Sequence, residues 1–166
     1  MFFINFNSFN FVIYQNNINF EFENKNKRNM VTILLLIVLC HIVDDFCIQN
    51  ICLSQMKCKS WWVKECEKLG ADFKNYKDDY LIALCMHATS WAIMILLPVI
   101  FMLNVPDVTI IVLFTANMII HAVVDNLKAN MGKINLLTDQ IIHLWQIIIT
   151  FYIVVYHPNL FVTLFN

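Results

Sequence analysis

Three pairs of residues in this sequence place a histidine and an aspartate four positions apart. The pairs are His41 with Asp45, His121 with Asp125, and Asp139 with His143. On an α-helix, residues four apart lie on one face, one turn above the other. Imidazole nitrogen and carboxylate oxygen together bind divalent metal ions, and in series they also pass protons. The spacing therefore predicts a site of one of these two kinds, built from three helices.

Four further polar residues are placed to support the three pairs. Gln49 follows Asp45 by four residues and Lys128 follows Asp125 by three, so each continues the polar face of its helix. Gln140 is the neighbour of Asp139, and His87 interrupts another apolar stretch. We expect these side chains to line the site. Lys128 is expected to pair with a carboxylate or to extend to the membrane interface.

Asp44 has a different expected position. It immediately precedes Asp45, and we expect it to point away from the stripe that His41 and Asp45 form. The sequence therefore predicts that Asp44 lies at the membrane interface and outside the site.

The composition indicates the class of protein that must hold these residues. Of the 166 residues, 60% are apolar and only 14% are charged, whereas soluble domains carry about 25% charged residues. With only two glycines and three prolines, the chain has few of the residues that form the tight turns of an all-β fold. A net charge of −1 gives no basis for nucleic-acid binding. We therefore expect an all-α polytopic membrane protein whose surroundings are the lipid bilayer.

Apolar runs divide the chain into an antiparallel bundle of about four transmembrane helices. A bilayer core of about 30 Å needs about 20 helical residues. The runs predict helices over about 30–54, 80–104, 108–129 and 136–156, with a charged loop over 55–79. Together they form a membrane helical domain over 30–166.

Residues 1–29 differ from the rest of the chain. They are rich in Phe and Asn, and they lack the basic start, the apolar core and the cleavage site of a secretory signal. Short alternations of Phe and Asn are a weak strand signal. We interpret this segment as an atypical extension outside the functional protein, which then starts at Met30.

The predicted topology collects the polar residues in one leaflet. Four antiparallel helices place the loop over 55–79 and the turn over 130–135 on the same side, and every polar group of the three pairs lies in the half of its helix nearer that side. Lysines are frequent in this loop and turn, while residues 104–107 have none. By the positive-inside tendency, the site side is expected to face the cytoplasm.

Burying these charges in a membrane requires compensation. Insertion scales assign about 2.5–3.5 kcal/mol to one charged side chain at the centre of a spanning helix. Mutual hydrogen bonding, a hydrated cavity or a metal ion would each compensate. Mixed imidazole and carboxylate ligands suit zinc, manganese or iron. The six candidate ligands are His41, Asp45, His121, Asp125, Asp139 and His143.

Three functional hypotheses remain open at this stage. The first is a metal-dependent, hydrolase-like site that acts on a lipid-like ester or phosphoester at the interface. The second is a proton or ion relay, or a transporter. The third is a membrane protein that acts through a protein partner without catalysis. The chain has no serine-nucleophile motif and no glycine-rich phosphate loop, which disfavours serine hydrolases, kinases and ATPases.

The order of four motifs resembles a known family. The segments "HIVDDFCIQ", "MHA", "HAVVDNLK" and "DQIIHLW" are similar to domain-of-unknown-function family 3307, small multi-pass membrane proteins of bacteria and their phages. The resemblance extends from about Leu34 to Tyr152. It implies functional importance for the six candidate ligands, together with Phe46, Gln49, His87, Lys128 and Gln140.

The resemblance also has limits. Asp44 stands where the family usually has a small residue, which adds a charge beside the site. The family implies a bacterial inner membrane, or a host membrane if a phage encodes the chain. Its activity is uncharacterised, so the resemblance supports the site and not a reaction.

Removal of residues 1–29 is expected to leave membrane insertion and folding unchanged, because the helical pattern is complete from Met30 onward. Thermal unfolding of the detergent-purified full chain and of the chain beginning at Met30 measures this. Loss of folded protein on truncation would show that the extension belongs to the membrane domain.

Overall fold

The computed structural model of the chain describes residues 29–165, and these residues form helices and short connections without a strand. The predicted extension lies outside the described residues apart from Asn29. The chain divides between Leu35 and Leu36 into two compact units. The described part of the first unit is the start of the first helix. The predicted site residues all lie in the second unit. The predicted all-α fold is confirmed.

The helices follow one another with short connections. They are α1 Asn29–Ile48, α2 Ile51–Met56, α3 Lys59–Leu69, α4 Asp79–Met102, α5 Asp107–Ala129, α6 Leu136–Tyr156 and α7 Leu160–Phe165. A 3₁₀ turn, Phe73–Asn75, precedes α4. Four stretches are long and apolar enough to cross a membrane, namely α1, α4 with the turn before it, α5 and α6. The structure thus has the helical make-up of a multi-pass membrane protein.

The end of α1 differs from the sequence prediction of one helix over about 30–54. The last five residues of α1, Asp44–Ile48, form a π-helical turn. Gln49 then has an extended backbone with ψ 93°, and this ends the helix. Asn50 begins α2 by accepting a hydrogen bond from Leu53 N at 2.8 Å, the usual role of asparagine at a helix N-terminus. The polar sequence "DDFCIQN" supplies both the irregular turn and the new cap.

The apolar core of the bundle begins beside the predicted site and extends along α4. Trp91, Ile95 and Val99 of α4 are fully buried, and Ile147 of α6 packs in the same interior. Large apolar side chains are also exposed along the outer faces, including Ile111 of α5. Outward-facing apolar side chains are expected where the surroundings are hydrocarbon and not water.

One asparagine joins the α2–α3 connection to the end of α5. The Asn130 side chain accepts a hydrogen bond from Lys59 N at 2.7 Å and donates to Lys57 O at 2.9 Å. It also donates to Asn126 Oδ1 at 2.8 Å. These bonds hold the connection after α2 against the end of the bundle where α5 ends and α6 begins.

Replacing Asn130 with alanine is expected to lower the unfolding free energy by about 1–3 kcal/mol, because partly buried backbone groups lose their partners. Chemical unfolding in detergent measures the change. The matched control is Asn104→Ala, which removes an exposed asparagine at the other end of α4. Equal stability of both variants would contradict the bridging role of Asn130.

Candidate functional site

Four helices bring the predicted polar side chains together at one end of the bundle. The histidines and aspartates among them are each no more than 8% exposed at the side chain. They are His41 and Asp45 of α1, His87 of α4, His121 and Asp125 of α5, and Asp139 and His143 of α6. Their common helical faces turn inward, so the spacing seen in the sequence becomes one buried cluster.

Two groups within this cluster have the geometry of a metal site. Asp45, His87 and His121 form one triad, and His121, Asp125 and His143 form the other. In each triad the three ligand atoms lie within 4.8 Å of one another. Each triad has two imidazoles and one carboxylate, and both contain His121.

The distances between imidazole and carboxylate atoms suit metal coordination. His87 Nε2 lies 3.4 Å from Asp45 Oδ1, and His143 Nε2 lies 3.4 Å from Asp139 Oδ1 and 3.6 Å from Asp125 Oδ1. Direct hydrogen bonds between such atoms are shorter, at about 2.7–3.2 Å. Ligands about 2.0–2.2 Å from a tetrahedral zinc ion are roughly 3.3–3.6 Å from each other. These separations are close to the edges of a coordination tetrahedron, whereas His121 Nε2 lies farther away, 3.9 Å from Asp125 Oδ2.

His121 lies at the centre of the cluster without a hydrogen bond. Its side chain is fully buried, its ring stacks on His143 at 4.0 Å and on Trp91 at 4.3 Å, and neither ring nitrogen has a partner among the described residues. Asp45 Oδ1, Asp139 Oδ1 and His143 Nε2 also lack partners. Buried polar atoms are nearly always satisfied. A bound ion or ordered water could satisfy these atoms.

Two lysines bind carboxylates of the cluster. Lys57 Nζ lies 2.5 Å from Asp125 Oδ2, and Lys128 Nζ lies 2.5 Å from Asp139 Oδ2. Lys128 thus pairs with a carboxylate, as its position suggested. Sequence reasoning missed Lys57, because it is one of six lysines in a polar connection with no helical spacing to the site.

The two predicted glutamines contact the same carboxylates and lysine. Gln140 Nε2 lies 3.2 Å from both Asp45 Oδ2 and Asp139 Oδ2. With its amide oxygen turned toward Lys57, Gln49 accepts from Lys57 Nζ at 2.5 Å and donates to Asp45 O at 3.3 Å. Both side chains therefore help to hold the charged groups in place.

Neighbouring side chains set the orientation of two imidazoles. His143 Nδ1 lies 2.9 Å from Gln146 Oε1, which leaves Nε2 facing the carboxylates. Trp91 Nε1 donates to His41 Nδ1 at 2.8 Å. An indole can only donate, so a neutral His41 carries its hydrogen on Nε2 and has no free lone pair. Accordingly, His41 stands beside the two triads and in neither of them.

Asp44 is buried in the site, which corrects the expectation that it lies at the interface. Its side chain is fully buried, it accepts a hydrogen bond from Ser90 Oγ at 2.6 Å, and its Oδ2 lies 3.5 Å from His87 Nδ1. The reason is its spacing from His41, because Asp44 follows it by three residues and residues three apart also share a helix face. Asp44 is also the first residue of the π-helical turn Asp44–Ile48.

The charges of the cluster do not balance within the protein. The buried carboxylates are Asp44, Asp45, Asp125 and Asp139, and the paired ammonium groups are Lys57 and Lys128. With neutral imidazoles, two negative charges remain in an apolar bundle, and burying uncompensated charge is costly. One divalent cation, or two protonated imidazoles, would neutralise them.

A cavity connects the cluster with the end of the bundle. Its volume is about 310 Å³, and its walls include Asp45, His87 and Asp125 together with Lys57 and Lys128. Phe46 and Leu136, both largely exposed, also line it. Such a cavity gives water and a small ligand group access to Asp45 and His87 of one triad and to Asp125 of the other.

Comparisons with known proteins leave the identity of the chain open. No protein-family model, no curated protein and no solved structure matches the sequence or the fold. Membership in the family named above therefore stays a prediction.

Replacing Lys57 with methionine is expected to lower the unfolding free energy by about 3–5 kcal/mol, because Asp125 becomes a buried charge without a partner. Unfolding of chelator-treated protein in detergent measures the loss, since an added cation would partly replace the ammonium group.

Lys64→Met is the control, because Lys64 is an exposed lysine of the same connection. A Lys57→Met protein as stable as this control would mean that the ion pair with Asp125 does not support the fold.

Proposed function

We propose that this protein is a multi-pass membrane protein that binds one divalent metal ion between its helices. We further propose that it uses the ion for hydrolase-like chemistry on a lipid-like ester or phosphoester. The observation that carries this proposal is His121. It is fully buried, it has no hydrogen-bond partner on either ring nitrogen among the described residues, and it belongs to both triads.

The ligand chemistry favours a small group of ions. Two imidazoles and one carboxylate, with further positions open, are typical of catalytic zinc and of non-haem iron(II) sites. Manganese accepts the same atoms. A divalent ion in such a site lowers the pKa of bound water and so supplies a nucleophile near neutral pH.

The shared histidine gives the remaining carboxylate a chemical role. Both triads use His121, and we propose that one ion occupies one triad at a time. If it is held by Asp45, His87 and His121, then Asp125 remains outside the ligand set at the cavity wall. A carboxylate beside activated water is suited to act as a general base. The cavity of about 310 Å³ would admit the bond to be cleaved, while the rest of a lipid stays in the bilayer.

We also propose which side of the membrane the site faces and which membrane holds the protein. Apart from Lys57, the lysines of the α2–α4 segment are exposed, as is Lys133 in the α5–α6 connection, and residues 103–106 at the other end carry none. This bias supports a cytoplasmic location for the site side. The resemblance to the family supports a bacterial inner membrane, or a host membrane for a phage-encoded chain.

A proton relay is the second candidate, and one observation favours it. Polar side chains continue from the site into the bundle, where His143 contacts Gln146, Gln146 donates to Asn117 O at 3.3 Å, and Asn117 donates to Thr150 at 2.8 Å. A series of buried polar groups along helices is suited to proton movement. This candidate needs protonated imidazoles in place of the ion.

Elemental analysis of purified protein distinguishes the two candidates. The wild-type chain is expected to carry close to one zinc, manganese or iron ion per molecule. Asp45→Asn is expected to carry much less, because the amide removes the charge that offsets the cation. Asp125→Asn distinguishes the triads, because it keeps the ion if the ion lies in the triad of Asp45.

Asp78→Asn, in the exposed turn before α4, is the control and should keep the wild-type metal content. Asp45→Asn is the clearer test of the two. Asp45 pairs with no lysine among the described residues, so its replacement leaves no buried ammonium group unpaired. A wild-type protein that carries no ion and takes up none, yet stays folded, would refute the metal site and favour the relay.

A further inference from the structure

We infer that Asp44 is a positioning residue that orients His87 as a metal ligand, and that Ser90 holds Asp44 in place for this role. The inference rests on the proposed metal site and adds to it a residue outside both triads. It also gives a role to Asp44, which stands where the family usually has a small residue.

The contacts of Asp44 form a short chain toward the metal site. Ser90 Oγ donates to Asp44 Oδ1 at 2.6 Å, and Asp44 Oδ2 lies 3.5 Å from His87 Nδ1. On the other edge of the same ring, His87 Nε2 lies 3.4 Å from Asp45 Oδ1 and 3.6 Å from Asp125 Oδ2. The imidazole therefore stands between Asp44 and the two carboxylates of the triads.

This arrangement is the one that metal-binding histidines commonly use. A ligating imidazole almost always donates its other N–H to a carboxylate or a carbonyl, which fixes the tautomer and raises the basicity of the ligating nitrogen. Asp44 Oδ2 has no other hydrogen-bond partner among the described residues. It is thus available to accept from His87 Nδ1, which leaves the Nε2 lone pair for the metal.

Asp44 is poorly placed to be a ligand itself. One of its oxygens is occupied by the Ser90 hydroxyl, and the other faces the Nδ1 edge of His87, away from the edge that faces Asp45 and Asp125. The groups that could hold an ion do not include it. A carboxylate that is fully buried, with one hydrogen bond from a hydroxyl and an imidazole 3.5 Å away, still needs a compensating positive charge. A His87 ring polarised by a bound cation supplies it.

The experiment compares metal affinity in Asp44→Asn, Ser90→Ala and the wild type, each loaded with Co²⁺ in detergent and titrated against a competing chelator. Asp44→Asn is expected to bind about 10–100-fold more weakly, the usual effect of losing such a carboxylate. The Co²⁺ absorption spectrum should keep its band positions, because the ligand set does not change. Ser90→Ala should weaken binding in the same direction, since Asp44 loses its anchor.

The control for Ser90→Ala is Thr89→Ala, which removes the neighbouring hydroxyl that contacts Met118 and not Asp44. Unchanged affinity in both Asp44→Asn and Ser90→Ala would overturn the inference while leaving the metal site intact. A changed Co²⁺ spectrum in Asp44→Asn would overturn it too, because Asp44 would then be a ligand. If Asp44→Asn does not fold, Ser90→Ala alone decides. Failure of the wild type to bind Co²⁺ would refute the proposed metal site itself.

Discussion

The burial of four carboxylates inside an apolar bundle is the constraint on which the rest of this structure depends. Each charge must be compensated where water is scarce. One of the compensating groups comes from outside the helical faces that carry the aspartates. Lys57 reaches Asp125 across 68 residues of sequence, and this requires the α2–α3 connection to fold back over the bundle. The hydrogen bonds of Asn130 hold that connection in the position the ion pair needs.

The irregular end of α1 follows from the same constraint. A regular α-helix would turn Asp44 and Asp45 about 100° apart, so only one of them could face the interior fully. The π-helical turn at Asp44–Ile48 lets Asp44 reach Ser90 and His87 while Asp45 faces Gln140 and the triads. Turns of this kind are rare in proteins as a whole, and those that occur often lie at functional sites. The break after Ile48 then allows the polar segment to leave the bundle.

These features mark the limit of what sequence alone could predict here. The predicted helices over 80–104, 108–129 and 136–156 match α4, α5 and α6 closely, because long apolar runs define spans. The histidine and aspartate pairs were visible because a 3.6-residue period stands out against an apolar background. Lys57 and Ser90 have no such signal, since their partners lie on other helices. Asp44 was misplaced because the prediction considered only the spacing of four from His41 and not the spacing of three, which also shares a helix face.

The orientation of the imidazoles supports a metal more than a chain of protons. Asp44 faces the Nδ1 edge of His87, and Gln146 faces the Nδ1 edge of His143, so both Nε2 atoms turn toward the carboxylates of the triads. Protonated imidazoles would draw these carboxylates to hydrogen-bonding distance, about 2.7–3.2 Å. The observed separations of 3.4–3.6 Å instead leave space between nitrogen and oxygen. Imidazole and carboxylate atoms at these separations could hold an ion between them, which is the arrangement we propose.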